Sequence, residues 1–177
     1  AELTNTFKNL ETNGNPWAFS PESRLDWAEG LGVRTMAQAA GDADLLYWVG
    51  CAGAYDQRYT GVTRAMARLM TAAGVKFAVL GKEEKCNGDP ARRAGNEYLA
   101  QMLIAENVAT LNGYGVKKIV ASCPHCYNTL KHEYPQFGGN YEVVHHTELL
   151  KQLVDSGKLK LETDGRERMT FHDSCYI

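Results

Sequence analysis

From Asp44 onward the chain alternates short apolar runs with amphipathic stretches. The runs at 45–49, 76–80, 117–121, 141–145 and 169–172 have the length of buried strands, and the stretches at 59–73, 91–112, 125–133 and 147–156 read as helices. In the first of these helices Val62, Ala65, Met66, Leu69 and Met70 recur at spacings of three and four, which makes one apolar face, and Gly74 stops it. The second carries Leu99, Met102, Leu103, Val108 and Leu111 in the same way and ends at Asn112-Gly113, a suitable C-terminal cap. Strand and helix in alternation predict an α/β fold, a three-layer Rossmann-like domain with a mainly parallel sheet. Residues 1–43 differ. Asn13-Gly-Asn-Pro16 and Ser20-Pro21 break any long periodicity, with Phe7, Trp17, Phe19 and Trp27 set among them, so this segment is expected to be a covering arm.

Composition narrows the function. The 177 residues include 19 Lys plus Arg and 21 Asp plus Glu, for a formal net charge of -2, so there is no basic field to hold nucleic acid. With 44% hydrophobic and 23% charged residues the chain is an ordinary globular one rather than a disordered or fibrous one. No apolar run approaches the roughly 18 residues that span a bilayer. The N-terminus shows neither a basic cluster nor an apolar core of a signal peptide, so a cytoplasmic setting is expected.

Five cysteines change the picture: Cys51, Cys86, Cys123, Cys126 and Cys175. An odd count without an export signal argues against a disulfide framework and for metal, cluster or redox chemistry. Each cysteine follows an expected strand, in Val49-Gly-Cys-Ala-Gly53, in the loop after the second strand, in Ser122-Cys-Pro-His-Cys126 and in Phe171-His-Asp-Ser-Cys-Tyr176. Because crossovers in a parallel sheet share one hand, all five thiols are expected at one carboxyl edge, the usual site of an open α/β sheet. Glycines 50, 53, 88 and 95 flank the same loops and permit close backbone approach.

A lone cysteine usually just fills space. A Cys-x-x-Cys pair on a strand-to-helix turn fits three chemistries: a dithiol exchanger, half a zinc site, or part of an iron–sulfur cluster. A dithiol needs only Cys123 and Cys126 and leaves Cys51 and Cys86 unexplained. Zinc would recruit a second paired motif, which is absent, although His125 or His172 could serve as ligands. Four converging cysteines match the usual ligand count of an iron–sulfur cluster best.

At these residues the chain resembles the cysteine-rich CCG domain of heterodisulfide reductase and of related iron–sulfur oxidoreductase subunits. Cys51 is followed after 34 residues by Cys86-Asn87-Gly88, and after 36 more by Cys123-Pro-His-Cys126, which matches the family's order and spacing. The stretch from Lys85 to Glu97, with Cys-Pro-His-Cys-Tyr-Asn-Thr-Leu130 after it, is similar to a bacterial branch that takes electrons from electron-transfer flavoprotein and passes them toward quinone. The resemblance implies an oxidoreductase component that carries a cluster on Cys51, Cys86, Cys123 and Cys126. Its donor would be a flavoprotein or other redox subunit, its acceptor a disulfide or quinone, and the parent protein could sit at the cytoplasmic membrane face. Asn87 stands where the family has the second Cys of Cys-Cys-Gly, which favours a conventional [4Fe-4S] cubane over the family's five-cysteine noncubane form.

The resemblance also divides the chain into an arm (1–43), one module (44–168) and the opening of a second (169–177), with Cys175 equivalent to Cys51. Two alternatives stay open: a zinc-stabilised structural domain, in which Cys175 could also be a metal ligand, and a thiol-disulfide oxidoreductase using Cys123 and Cys126. Among other residues, His145 and His146 end the fourth strand on the cysteine edge, where they could bond a sulfide, ligate a metal or cap the next helix. His172-Asp173 could orient a ligand. Asp89-Pro90 reads as a helix N-cap followed by proline, with Arg92 and Arg93 on an exposed helix face.

Overall fold

The computed structural model describes residues 2–162 and 168–170. Its elements in order are α1 (Glu2–Asn13), a 3-10 turn (Pro21–Ala28), α2 (Met36–Ala39), β1 (Leu45–Trp48), α3 (Gly50–Tyr55), α4 (Tyr59–Ala72), β2 (Phe77–Ala78), a 3-10 turn (Gly81–Glu83), α5 (Asp89–Arg93) and α6 (Glu97–Gly113). There follow β3 (Lys118–Ala121), α7 (Pro124–Asn128), a π turn (Thr129–Glu133), a 3-10 turn (Tyr134–Phe137), β4 (Glu142–His145) and α8 (His146–Asp155). The four strands form one wholly parallel sheet in the order β2-β1-β3-β4, with Leu46 opposite both Ala78 and Ile119, and Val120 opposite Val144. The expected three-layer α/β architecture is therefore present.

Alternation along the strands sorts the core into two layers, since successive side chains face opposite sides of a sheet. Leu46, Trp48, Ala78, Leu80, Ile119, Ala121 and Val143 pack with Ile104, Val108 and Leu111 of α6 and with Tyr127, Leu130 and Tyr134. Leu45, Tyr47, Val49, Phe77, Val79, Val120 and Val144 pack on the other face with Met66 and Met70 of α4 and Leu149 and Leu153 of α8. A third cluster joins Leu10 of α1 to Cys86, Ala91, Leu99, Ala100 and Leu103.

Several expected elements need correction. The arm is not all turns: Leu3, Phe7 and Leu10 lie on one face of a helix, α1, whose Leu10 is completely buried. Residues 34–36 then lie along β2, with Met36 N–H donating to Val79 O at 2.8 Å and Val79 N–H donating to Arg34 O at 3.0 Å. The helix expected over 91–112 is two helices. Gly95 turns the chain at φ +88°, and the Asn96 side chain accepts from Leu99 N–H to start α6. The helix expected over 125–133 passes into a π turn after Asn128. Of the strand expected at 169–172, Met169 and Thr170 are irregular and the rest lies outside the described residues. No described helix is long and apolar enough to cross a membrane.

Leu111 of α6 is fully buried in the core layer that α6 forms with one face of the sheet. Leu111→Ala is expected to lower stability by about 2–5 kcal/mol, measured by urea denaturation.

Candidate metal centre

The strand order reverses between β1 and β3, because the chain leaves β1 for β2 on one side and returns to β3 on the other. Ligands of open α/β sheets bind at the carboxyl ends of the strands flanking such a point. Cys51 stands in the first turn of α3, just after β1, and Cys123 and Cys126 stand at the start of α7, just after β3. Cys86 comes from the loop after β2. All four thiols, none in a disulfide, line one cavity of about 450 Å³ together with Pro16, Trp17, Asn87, Asp89, Arg93 and His125. Cys175 and His172 lie outside the described residues.

The thiols stand as two interacting pairs. Contact with Cys86, and then the Arg24 guanidinium, holds the Cys51 pKa below the ordinary thiol value, while Cys86 Sγ donates to Asn87 Oδ1 at 3.7 Å and Cys51 Sγ to Gly14 O at 3.8 Å. Cys126 donates to Cys123, whose sulfur also receives the N–H groups of Cys126 and His125; its pKa falls to about 6. Contact with their partner thiols and burial push Cys86 and Cys126 up. Gly88 N–H also donates to Cys86. Cys126 feels the charges of Cys51 and Cys86 as well, so the pairs share one electrostatic site.

Backbone geometry makes this convergence possible at two glycines. Gly50 has φ +73°, and a Cβ there would stand 3.2 Å from Cys126 Sγ. Gly88 has φ +94°, and a Cβ there would stand 3.0 Å from Ala100 O. Both positions need the left-handed conformation and the missing side chain that glycine alone offers.

Residues that carry no motif complete the frame. The Glu84 carboxylate accepts from Val49 N–H at 3.1 Å and Gly50 N–H at 2.8 Å, which caps α3 from across the fold, and it pairs with Arg24 Nη2 at 2.7 Å. The same Nη2 reaches Cys51 Sγ at 3.7 Å. Burial opposes the guanidinium charge, but Glu84 and then Cys51 more than offset it and hold the Arg24 pKa above its ordinary value. Asn107 of α6 donates to Cys86 O at 3.0 Å and accepts from Lys85 N–H at 3.2 Å. In the arm, Asn15 donates to Phe19 O and accepts from Trp17 and Phe19 N–H, curling Pro16 and Trp17 over the cavity, while Gly14 O accepts from Cys86 N–H at 2.7 Å. These contacts join residues far apart in sequence or confined to the arm, and no motif spacing points to them.

Asn87 is nearly buried and engaged. Its Oδ1 accepts from Asp89 N–H at 3.1 Å, and its Nδ2 donates to His125 O at 3.4 Å. It thus turns the Cys86 loop into α5 and ties that loop to α7. The expected N-cap at Asp89 is displaced by this turn: Gly88 occupies the cap, and the Asp89 carboxylate meets His125 Nδ1 at 3.0 Å and Arg93 Nε at 3.0 Å. Arg92 and Arg93 are likewise not a bare solvated face. Arg92 grips Glu97 with two bonds, and both arginines pair with Glu133. His145 and His146 do not line the cavity. His145 bonds Thr147 Oγ1 at 2.8 Å and Ser122 O at 3.3 Å, steadying the turn before Cys123 from outside. Burial, then the neighbouring His145, pushes His146 down to about 4, so that imidazole is neutral at pH 7.

The donor set can be tested against the groups it would suit. Among the described residues, no three His, Cys, Asp or Glu side chains converge on a point that one metal ion could occupy. The four cysteines line one cavity, with the Gly88 N–H donating to Cys86 and the His125 and Cys126 N–H groups to Cys123. Four thiols, two of them receiving backbone N–H groups, are a donor set that an iron–sulfur cluster takes, and no described grouping supports the mononuclear zinc alternative.

Residues 45–131 match the CCG cysteine-rich domain, and this stretch contains all four cavity cysteines. The chain carries a CCG cysteine-rich domain. It is 48% identical over 180 residues to an "EtfAB:quinone oxidoreductase" of Syntrophomonas wolfei, covering 99% of this chain and 25% of that protein. It is 43% identical over 175 residues to a "probable iron-sulfur-binding oxidoreductase" of Bacillus subtilis, covering 96% and 25%. It is 31% identical over 169 residues to one subunit of the dihydromethanophenazine:CoB–CoM heterodisulfide reductase of Methanosarcina barkeri, covering 92% and 40%. The chain thus spans between a quarter and two fifths of the length of these relatives of its CCG domain. No solved structure matches it.

In metal-free protein, alkylation of Cys123 by iodoacetamide is expected to be half-maximal near pH 6, with Cys126 resistant across the neutral range, as read by mass spectrometry of the labelled peptides. The thiolate is the reactive form, so the rate falls as pH drops through that value. A Cys123 profile centred near the ordinary thiol value would contradict the described contacts.

Proposed function

We propose that Cys51, Cys86, Cys123 and Cys126 ligate one [4Fe-4S] cluster, and that the protein passes electrons from a flavoprotein donor to a quinone or disulfide acceptor. The observation that carries this reading is that three separate strand-to-helix loops deliver four thiols to one cavity at the point where the sheet order reverses. The bound cluster would supply a one-electron carrier whose potential is set by burial, net charge and N–H···S bonds.

The chain's own groups prepare that site. Thiolates are the ligating form; Cys123, at about 6, is a thiolate at neutral pH, and the contacts at Cys51 shift it in the same direction. Asn87 offers an amide where a fifth thiol would stand, which leaves four sulfur donors, the number a cubane takes. Pro16 and Trp17 form part of the cavity wall, limiting water at the sulfurs. The Syntrophomonas relative's name joins EtfAB to quinone and the Methanosarcina relative's name specifies a heterodisulfide; these support the two acceptor classes. A quinone acceptor would bring the exchange to a membrane face.

A thiol-disulfide exchanger at Cys123 and Cys126 is the second reading, favoured by the lowered Cys123 pKa beside a protonated partner. It leaves the convergence of Cys51 and Cys86 on the same cavity without a role.

Protein purified without oxygen is expected to contain four iron and four sulfide equivalents at this site, with a visible charge-transfer band and reduction by a flavoprotein donor. Replacing any of the four cysteines with Ser should abolish or sharply reduce cluster content. Colourless protein with stoichiometric zinc, or full exchange activity in the Cys51→Ser variant, would overturn the proposal.

A further inference from the structure

The Arg24–Glu84 pair is a buried charge pair against a thiol, and ligand binding itself does not require it. Arg24 is 2% exposed and Glu84 is 2% exposed, and neither lines the cavity. They sit behind Cys51. Arg24 Nη2 is divided between Glu84 Oε1 at 2.7 Å and Cys51 Sγ at 3.7 Å, and the guanidinium carbon lies 5.5 Å from the Tyr55 ring centre. Arg24 Nε, also buried, has no hydrogen-bond partner among the described residues. A guanidinium taken out of water at such cost needs anionic neighbours. Glu84 is one, and the sulfur of Cys51 is the other.

From this placement we propose that Arg24 and Glu84 act as opposed electrostatic settings for the reduction potential of the electron site, with Arg24 a positioning residue that acts through the Cys51 sulfur. The inference rests on the iron–sulfur reading above. One-electron reduction by the flavoprotein donor adds a negative charge to the site and neither forms nor breaks a bond to the protein. A cation held against a ligand sulfur in a poorly solvated interior stabilises the reduced form more than the oxidised one, and a carboxylate at the same depth does the reverse. The pair is not merely neutral ballast, because its two charges are unequally placed: the guanidinium touches the sulfur, while the carboxylate is turned to the backbone N–H groups of Val49 and Gly50.

The test uses full-length protein purified anaerobically, as wild type, Arg24→Gln, Arg24→Lys, Glu84→Gln and the Arg24→Gln/Glu84→Gln double variant. Iron and sulfide are measured first. The relevant paramagnetic signal is the one missing from Cys123→Ser protein, and its midpoint potential is followed by dye-mediated titration. Arg24→Gln is expected to disfavour reduction at least tenfold, a negative shift of about 59 mV for one electron. Glu84→Gln should shift the potential positively, the double variant should return toward wild type, and Arg24→Lys, which keeps the charge, should fall between wild type and Arg24→Gln.

Equal cluster content with unchanged potentials overturns the inference, as do shifts of the same sign in Arg24→Gln and Glu84→Gln, which would indicate a purely structural role. If Arg24→Gln protein fails to load, Glu84→Gln decides: a positive shift supports the inference and no shift or a negative one defeats it. Wild-type protein without iron and sulfide would instead defeat the iron–sulfur reading, a result distinct from either.

Discussion

The carboxylate of Glu84 joins parts of the chain that would otherwise have no reason to meet. It accepts the N–H groups at the start of α3 and the guanidinium of Arg24 from the arm, so it ties the turn after β2, the turn after β1 and the N-terminal segment at one buried point. The first N–H groups of a helix lack internal partners, and here a residue 34 positions away satisfies one at Gly50. Removing one member of a buried ion pair typically costs about 3–5 kcal/mol because the other charge is stranded. The orientation of Cys51 depends on this joint, since the cysteine sits one residue beyond the capped Gly50.

The parallel sheet was legible because its signal is local and repeated. Each strand from β1 to β4 has consecutive apolar residues, as a strand covered on both faces must, and every one of these four strands falls inside its expected range. Helix α4 was legible in its extent, with Gly74 following it, but its expected face was only half right: Met66 and Met70 are buried together with Thr63 and Ala67, whereas Val62, Ala65 and Leu69 are exposed. Helix α3 was not legible. Its sequence, Gly-Cys-Ala-Gly-Ala-Tyr, has two poor helix formers and no capping side chain of its own, and its cap arrives from Glu84. Helix α1 had a readable face in Leu3, Phe7 and Leu10, but the turn formers after it pointed toward irregular structure. The break between α5 and α6 was also present in the sequence as Gly95-Asn96, and the longer apolar period running through it masked the signal.

At the site, the meeting of four cysteines followed from topology: strands that run in parallel bring the loops after them to a common edge. What topology does not convey is how those loops are held. Asn107 reaches Cys86 from α6, Asn15 folds the arm over the cavity, and Ser122 is steadied by Tyr47, Tyr59 and His145. Each is an ordinary polar residue made significant by a partner at a distance. Asn87 shows the converse case, since its departure from the family's pattern was visible at once, whereas its work as a brace between the Cys86 loop and α7 was not.

The close approach of Gly50 to Cys126 also sets a dimension. Only a hydrogen atom of Gly50 separates the backbone after β1 from the sulfur at the start of α7, and the neighbouring strands β1 and β3 are fixed by their ladder. The gap between the two loops is therefore set by contact, with little slack for them to shift. A centre whose dipoles are already in place needs little rearrangement as charge arrives. For the proposed electron-transfer role, the absent methyl group at position 50 would in this sense be a gauge, holding the two sides of the centre at one separation.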